Sequence, residues 1–293
     1  MDQSTTLSQI NVHSQHQPET SGRREELIAN YSQRVVYKDP KSEIELREFM
    51  LAGEDILSPD KLVQIGFGIQ GCIYKCGGSF AYKQHGRDEE FKLMIDAGEL
   101  SITPYSRVLR HIQDFVAVDG IIMELGSPLE VKRITSPSER RRVKDDMVSV
   151  VTRLHAKGIA HGDIGPSNFL WAQDGSLRLC DFDTAFYLDG RPQEWEGGCS
   201  PQYVSPNRGY PDWKLPSIED DMYALAVTVW ELYTGRTAME TEYDDLEDLI
   251  PRGYAVDVNA VDDLEVRSWI KQLLVAGGAR IFGAVPEEGE TGA

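Results

Sequence analysis

Apolar residues recur with two periods along this chain, which predicts a strand-rich first half and a helix-rich second half. Near the start, alternation of apolar and polar positions predicts strands over residues 62–68, 72–76 and 79–84, and the glycine pair at 77–78 is typical of a tight hairpin turn. A further strand is predicted over residues 119–125. Together these segments indicate a small antiparallel sheet.

The other apolar positions mostly follow the 3.6-residue period of helices. A short helix is predicted over residues 89–100 and ends near Pro104, because proline lacks the N–H that a helix interior needs. Longer helices are predicted over residues 139–158, 220–235 and 265–278, and the second of these is apolar almost all round, as buried helices are. The apolar face of the first long helix comprises Val143, Met147, Val150, Val151 and Leu154.

The two ends of the chain have a different composition from its centre. Residues 1–22 are rich in Ser, Thr, Gln and His, which predicts a disordered tail, and the acidic residues 284–293 predict a second mobile tail. Residues 23–58 mix charged and apolar positions, which predicts a helical N-terminal extension of one or two short helices. The remainder divides into a strand-rich part at 59–125 and a helical part at 126–283.

The composition of the chain argues against two classes of binding partner. The chain has 293 residues, 41% of them hydrophobic, and a formal net charge of −18, which argues against binding to nucleic acid or to an anionic membrane. No apolar run approaches the roughly 20 residues that span a bilayer, and the first residues contain no signal-like apolar stretch. The four cysteines form no C-x-x-C pair, so we expect an intracellular protein of the cytoplasm or nucleus.

The most specific chemical pattern lies in HGDIGPSNFL at 161–170, followed by LRLCDFD at 177–183. It places an acid, Asp163, five residues before an amide, Asn168, and a second acid, Asp181, at the end of a separate strand. Phosphoryl transfer needs such a set, because one carboxylate orients and deprotonates a hydroxyl while an amide and a carboxylate hold the metal at the phosphates.

A glycine-rich loop precedes this pattern. Gly66, Gly68 and Gly71 form G-x-G-x-x-G, in which backbone N–H groups can approach phosphates. The same string opens dinucleotide-binding folds, but there the last glycine starts a helix, whereas here the strand 72–76 follows directly. Lys83 lies in the next strand, twelve residues after the last glycine.

These motifs, with DMYALA at 221–226, resemble those of the eukaryotic-type protein kinases. The particular residues within them resemble those of a divergent fungal kinase-like group. The resemblance covers residues from about 60 to 282. It implies an α+β, bilobal protein-kinase-like fold, with a small antiparallel β-rich N-lobe and hinge at 59–125 and a mainly helical C-lobe at 126–283. It also implies ATP and Mg²⁺ as cofactors. The implied substrate is a protein that is phosphorylated on Ser or Thr in preference to Tyr.

The resemblance assigns roles in the strand-rich part. Gly66, Gly68, Gly71 and Lys83 would bind the nucleotide phosphates. The lysine needs an acid from the following helix, and Glu99 is favoured for this position, with Glu90 and Glu89 as alternatives. The strand that ends at residue 125 would supply the adenine contacts. Met123 would be the gatekeeper residue at the pocket behind the adenine, and Glu124 and Leu125 would form the hinge that contacts adenine.

In the helical part, the resemblance makes Asp163 the catalytic base and makes Asn168 and Asp181 the Mg²⁺ ligands. Asp221 would brace the backbone of the loop that carries the base. His161 and His155 are interpreted as packed side chains rather than metal ligands.

Four residues depart from the family pattern: Gly162 replaces an arginine, Gly165 a lysine, Asp183 a glycine and Asn207 a glutamate. Without the arginine, phosphorylation of the following segment is expected to be dispensable. Asn207 can form only a neutral hydrogen bond where the family forms an ion pair. Two alternatives therefore stay open: a small-molecule phosphotransferase of the aminoglycoside or choline kinase type, and a pseudokinase that binds partners with little or no turnover.

Overall fold

The protein divides into two units, which are described separately. The first comprises residues 1–95 and 102–125, and the second comprises residues 96–101 and 126–293. The structure is a computed structural model, and it describes residues 33–37, 62–68, 71–76, 79–112, 115–190, 200–208, 214–240 and 243–283. The two predicted tails and the predicted turn at 77–78 lie outside these residues.

The first unit contains a six-stranded sheet in which every neighbouring pair is antiparallel, with strand order β1-β5-β6-β4-β3-β2. Helix α1, Asp88–Ala97, follows β4 in the chain. The strands are β1 Gln33–Tyr37, β2 Val63–Gly68, β3 Gly71–Cys76, β4 Phe80–Gln84, β5 Pro104–Ile112 and β6 Phe115–Glu124.

Strand β1 corrects the prediction of a purely helical extension at 23–58. Residues Gln33–Tyr37 instead pair antiparallel with β5, so that Val35 lies opposite Val108. The reason is local composition, because QRVVY contains β-branched and aromatic residues that favour an extended chain. The rest of 23–58 lies outside the described residues. Strand β5, which begins at Pro104 itself, was also not predicted.

Helix α1 ends earlier than predicted. It stops at Ala97, and the chain turns through Gly98, whose φ of +61° is accessible to glycine at little steric penalty. A 3₁₀ turn over Gly98–Leu100 completes the segment. Three acids, Asp88, Glu89 and Glu90, occupy the first turn of α1, where the helix dipole favours negative charge.

The second unit is mainly helical. Its longest helix, α2, buries Val143, Met147, Val150, Val151 and Leu154, which confirms the predicted apolar face. The helices are α2 Pro137–Ala156, α3 Ile218–Thr234, α4 Tyr243–Leu249 and α5 Leu264–Ala276. The unit also contains short strands: β7 Ser127–Pro128, β8 Ile159–Ala160, β9 Phe169–Trp171, β10 Leu177–Leu179, β11 Phe186–Tyr187, β12 Tyr254–Ala255 and β13 Ile281–Phe282.

Helix α3 is buried along most of its length, as predicted. Ser217 begins it with a capping box, in which the serine hydroxyl accepts from the Asp220 N–H and the Asp220 carboxylate accepts from the Ser217 N–H. Gly235 ends it in the left-handed region, with φ of +70°. This frame places Asp221 in the interior of the second unit. The architecture is α+β, and among the described helices none is long and apolar enough to cross a membrane.

Candidate active site

In the first unit, Lys83 forms a buried ion pair with Glu90. The lysine projects from β4, which lies between β3 and β6, and its Nζ lies 2.7 Å from Oε1 of Glu90 in the first turn of α1. Only 5% of Lys83 and 1% of Glu90 are exposed. A buried pair of opposite charges is stable only when both members are present, so each side chain fixes the position of the other.

This geometry corrects the choice of Glu99 as the partner of Lys83. Glu99 lies in the 3₁₀ turn after α1 has ended, its side chain is 60% exposed, and its carboxylate accepts from Nη2 of Arg153 at 2.5 Å. The pKa of Glu99 is lowered by its backbone hydrogen bond and by the nearby cations of Lys157 and Arg153. Glu90, one of the alternatives, occupies the predicted position.

The glycine-rich segment forms the β2–β3 hairpin, in which Gly68 pairs with Gly71. A Cβ on Gly71 would lie 2.2 Å from the carbonyl oxygen of Gln84, and its φ of +149° is one that L-residues rarely adopt. A Cβ on Gly66 would meet Ile73 at an ordinary 3.7 Å. Gly71 is therefore required by the sheet itself, independently of any ligand.

The predicted hinge residues lie at the end of β6. Met123 is buried opposite Ala81, and Glu124 is buried opposite Phe80. The N–H of Leu125 donates to the Ser79 carbonyl oxygen at 2.9 Å, so this amide is engaged within the first unit.

In the second unit, Asp163 and Asn168 are brought together by the loop between β8 and β9. Nδ2 of Asn168 donates to the Asp163 carbonyl oxygen at 2.7 Å and to its Oδ2 at 3.0 Å. The other carboxylate oxygen, Oδ1, accepts from the Ser200 N–H at 2.9 Å. Both oxygens of Asp163 are thus oriented by fixed donors.

Burial raises the pKa of Asp163, and the nearby carboxylate of Asp181 raises it further, while the hydrogen bonds from Ser200 and Asn168 and the nearby His161 lower it. Desolvation is the largest of these effects, because the hydrogen bonds from Ser200 and Asn168 replace only part of the hydration that the charged form loses. A carboxylate of raised pKa is a stronger base, which suits a group that accepts a proton.

The backbone of the loop before Asp163 is held by side chains from distant elements. Asp221 of α3 accepts from the N–H of His161 at 2.7 Å and from that of Gly162 at 2.8 Å, as the resemblance implied. Thr184 donates its hydroxyl to the His161 carbonyl oxygen at 2.9 Å. Arg208 donates from Nη1 to the Gly162 carbonyl oxygen at 2.6 Å. Thr184 and Arg208 were not predicted, because nothing in the local sequence links them to the loop.

The two histidines pack as interpreted. The ring of His161 is fully buried, lies edge-on to Phe182 with centroids 4.9 Å apart, and its Nε2 lies 3.0 Å from the Cys180 carbonyl oxygen. His155 Nε2 lies 2.8 Å from Oδ2 of Asp221. Both rings therefore support the loop.

Asp181 adopts the left-handed region, with φ of +61° and ψ of +66°. Aspartate tolerates this conformation better than most residues, and such strained backbone is concentrated at functional sites. Carboxylate oxygens of Asp181 and Asp183 lie within 4.8 Å of each other. Two carboxylates and the amide oxygen of Asn168 are the hard donors that Mg²⁺ prefers, so this donor set fits the implied metal.

An open groove of about 470 Å³ borders the same loop. Its lining includes Pro166 and Ser167 of the loop, Tyr203 after it and Glu231 of α3. Oε1 of Glu231 accepts from the Tyr203 hydroxyl at 3.1 Å and from the Ala238 N–H at 2.6 Å. Burial raises the pKa of Glu231. The volume lies within the range of ligand-binding sites.

Asn207 is held by neutral hydrogen bonds to backbone carbonyl oxygens. Its Nδ2 donates to the Ala276 carbonyl oxygen at 3.0 Å, and its N–H donates to that of Gly277 at 3.0 Å. The residue thereby ties the segment at 200–208 to the end of α5.

Comparison with known proteins indicates the family of the chain. A family model described as the protein kinase domain matches residues 60–274. The chain is similar to the serine/threonine-protein kinase RUNKEL of Arabidopsis thaliana, with 37% identity over 94 residues, which are 31% of this chain and 7% of that protein. It is also similar to the dual specificity mitogen-activated protein kinase kinase mek-1 of Caenorhabditis elegans, with 33% identity over 125 residues, 40% of this chain and 36% of that protein.

A bacterial relative is the serine/threonine-protein kinase F of Synechocystis, with 33% identity over 138 residues, 44% of this chain and 26% of that protein. The matched regions thus span well under half of the length of each of these relatives. The resemblance to the protein kinase superfamily is confirmed, and the fungal subgroup stays a prediction.

Proposed function

Because the chain belongs to the protein kinase domain family, we propose that it transfers the γ-phosphoryl group of ATP to a hydroxyl of a protein substrate, Ser or Thr ahead of Tyr. The observation that carries the proposal is the fixed carboxylate of Asp163. Its two oxygens are oriented by Asn168 and Ser200, and Asp221 holds the loop that bears it.

In this proposal Asp163 accepts the proton of the acceptor hydroxyl. The hydroxyl oxygen forms a bond to the γ-phosphorus, the bond from that phosphorus to the bridging oxygen breaks, and ADP leaves with the electron pair. Positioning supplies most of the acceleration, because the acceptor oxygen must lie in line with the breaking bond. The hydrogen bonds to Asp163 restrict the directions from which its carboxylate can accept a proton.

Asn168 and Asp181 would hold Mg²⁺, with Asp183 as an additional carboxylate. Bound Mg²⁺ neutralises charge on the phosphate oxygens. Because Nδ2 of Asn168 is committed to Asp163, its Oδ1 is the atom that would bind the metal, so this one side chain would link the metal to the base. In the first unit, Lys83 would bind the α- and β-phosphates with its ammonium group oriented by Glu90.

The groove beside the loop supports a protein acceptor over a small one. It is open, its lining includes Pro166 and Ser167 of the loop that bears Asp163, and its volume of about 470 Å³ would hold polypeptide residues next to the acceptor. The net charge of −18 favours neutral or basic substrates over acidic ones.

Phosphate transfer from labelled ATP tests the proposal. Wild type and Asp181→Asn would be incubated with Mg²⁺ and with basic and acidic protein acceptors, choline and an aminoglycoside. We expect transfer to protein, with a loss of at least roughly 100-fold in Asp181→Asn because the phosphate charge is no longer neutralised. Asp174→Asn, which changes an exposed aspartate in the β9–β10 turn, is the matched control and should retain wild-type transfer.

The result also separates the alternatives. Transfer only to choline or the aminoglycoside would replace the proposal with a small-molecule phosphotransferase. Nucleotide binding without transfer to any acceptor would favour a pseudokinase.

A further inference from the structure

The segment from Thr184 to Arg208 contains few hydroxyl groups that a kinase could phosphorylate. No Ser, Thr or Tyr occurs at 188–199, which is the centre of the segment. The hydroxyl residues from 184 to 208 are Thr184, Tyr187, Ser200, Tyr203 and Ser205.

Four of these hydroxyls already bind within the second unit. Besides the Thr184 contact described above, Tyr187 donates to Oδ2 of Asp96 at 2.6 Å, Tyr203 donates to Glu231 at 3.1 Å, and Ser205 donates to Asp220. Three of the four residues are buried, with exposures of 6% for Thr184, 9% for Tyr203 and 0% for Ser205. A dianionic phosphate on any of these buried hydroxyls would displace an existing hydrogen bond and would be desolvated beside carboxylates.

Arg208, at the end of the segment, places a buried positive charge beside the loop. The contacts that hold it there are made by protein groups and involve no phosphate. Arg208 is 3% exposed, and its Nη1 donates to the Gly162 carbonyl oxygen at 2.6 Å. Its Nε donates to the Lys214 carbonyl oxygen at 3.3 Å, and its own N–H donates to Ser205. The guanidinium group is therefore held by two carbonyl oxygens, and the backbone of Arg208 is held by Ser205.

Gly162 leaves no space for a side chain of its own, and Arg208 brings a guanidinium group to the same position. Gly162 has φ of +80°, and a Cβ there would lie 2.7 Å from the Thr184 carbonyl oxygen and about 3.0 Å from Pro216. Residue 162 thus has no room for an arginine of its own, and the guanidinium at this loop arrives from residue 208 instead. Gly162 and Arg208 line a small cavity of about 10 Å³. Asp163, Asp220 and Asp221 line the same cavity and provide negative charge near the guanidinium group.

We propose that Arg208 is a positioning residue for the phosphoryl transfer: by holding the Gly162 carbonyl it fixes the loop that carries Asp163, and it does so without phosphorylation of the segment. This inference rests on the proposed function for its catalytic consequence, but the mechanical coupling between Arg208 and the loop can be measured independently. Loss of the guanidinium leaves the Gly162 carbonyl without its donor and lets the adjacent peptide move.

The test compares Arg208→Gln and Arg208→Lys with Arg267→Gln as a matched control. Arg267 also donates from Nε to a carbonyl oxygen, that of Val261 at 2.8 Å, but at the start of α5. Hydrogen exchange of the Gly162 and Asp163 amides and steady-state kinetics would be measured for each variant. For Arg208→Gln we expect at least about tenfold faster exchange at these amides. We also expect kcat to fall by about 10–100-fold with the KM for ATP changed less than about threefold.

Arg208→Lys can still donate to Gly162 but lacks the second anchor at Lys214, so it should show intermediate exchange and kcat, and Arg267→Gln should match wild type in both. Unchanged exchange at Gly162 and Asp163 in a folded Arg208→Gln protein would overturn the coupling. Faster exchange with a wild-type kcat would overturn the positioning role.

The absence of a phosphate requirement is tested on the unmodified chain. Wild-type protein treated with phosphatase, and shown by mass spectrometry to carry no phosphate at 184–208, should retain its kcat within about twofold. A drop of tenfold or more would overturn the proposal even if Arg208→Gln could not be obtained folded. If wild type transfers no phosphate at all, the proposed function fails, while the exchange measurement still decides whether Arg208 holds the loop.

Discussion

Lys83 and Asp163 are both held by buried partners, but the two arrangements differ in how far apart along the chain the partners lie. Lys83 pairs with Glu90, seven residues later. The loop of Asp163 is held by Asp221, 59 and 60 residues from the amides that it binds, and by Thr184 and Arg208, 23 and 46 residues from their acceptors. One arrangement is a local pair, and the other is a network drawn from several elements.

The two arrangements should respond differently to mutation. In the ion pair, removal of either charge takes away the opposite charge that the other buried side chain contacts at 2.7 Å, so a single substitution has a large effect. In the network, three side chains share the backbone of His161 and Gly162, so one substitution leaves the others in place. Single changes around the loop are therefore expected to have graded effects.

The largest effect on turnover is expected when the reacting group is removed and both arrangements are left intact. Asp163→Asn should lower kcat by about 10²–10⁴-fold, because no carboxylate remains to accept the hydroxyl proton. Phosphate transfer under saturating ATP measures this loss. A kcat within tenfold of wild type would show that Asp163 is not the base.

The same variant tests the raised pKa through stability. Because burial raises the pKa of Asp163, the folded state binds the proton more tightly than the unfolded chain, and ionisation of this group opposes folding above an unfolded pKa of about 3.9. Asp163→Asn removes that charge, so its unfolding temperature at pH 7 should not be lower than that of wild type. The benefit should shrink as the pH falls through the raised folded pKa towards about 4, and it should be absent below that pH.

Asp174→Asn should show the opposite sign and serves as the control. Hydrogen bonds from Ser176, with Arg178 nearby, lower the pKa of Asp174, so its ionised form stabilises the fold above its unfolded pKa and this contribution is lost as the pH falls. Asp174→Asn should therefore lower the unfolding temperature slightly at pH 7. Thermal unfolding of both variants between pH 4 and about 7 checks the two signs.

The next effect concerns the ion pair. Glu90→Gln leaves the buried ammonium of Lys83 beside a neutral amide, which should lower the free energy of unfolding by about 3–5 kcal/mol and abolish most turnover. Glu99→Gln breaks only the exposed pair with Arg153 and should lower stability by no more than about 1 kcal/mol. Urea unfolding and ATP turnover of the two variants provide a direct comparison.

A double variant sharpens this test. Lys83→Met with Glu90→Gln removes both charges, so stability should recover in part while turnover stays lost. Equal effects of Glu90→Gln and Glu99→Gln would contradict the assignment of Glu90 as the partner of Lys83.

The features that could be predicted from sequence depend on residues close together in the chain. The apolar face of α2 follows from helical spacing, and the contact between Asp163 and Asn168 follows from five residues in one tight loop. Glu99 was a wrong choice because Gly98 was taken to be inside the helix. Glycine is common just after a helix end, and that signal would have excluded Glu99 and favoured Glu90.

The features that could not be predicted depend on tertiary packing. Arg208 reaches Gly162 across 46 residues, and no periodicity or spacing relates the two positions. The pairing of β1 with β5 likewise joins segments about 70 residues apart, and only the assembled sheet creates the edge to which β1 adds. Local pattern therefore identified the reactive groups, but not the side chains that hold them.

The smallest effect is expected when Thr184, the network member that binds the His161 carbonyl, loses its hydroxyl. Thr184→Val leaves the buried His161 carbonyl without its hydroxyl donor, which should lower the free energy of unfolding by about 1–2 kcal/mol. Because Asp221 and Arg208 still hold the neighbouring backbone groups, kcat should fall only about threefold to tenfold.

Thr184→Ser separates this hydrogen bond from packing. The serine keeps the hydroxyl and loses only a buried methyl group, so it should lose about 0.8 kcal/mol of stability but keep kcat within about twofold of wild type. Urea unfolding and kcat of the two variants measure the difference. If Thr184→Val abolished turnover as completely as Asp163→Asn, the loop would depend on one contact, and the contrast between the two arrangements would be wrong.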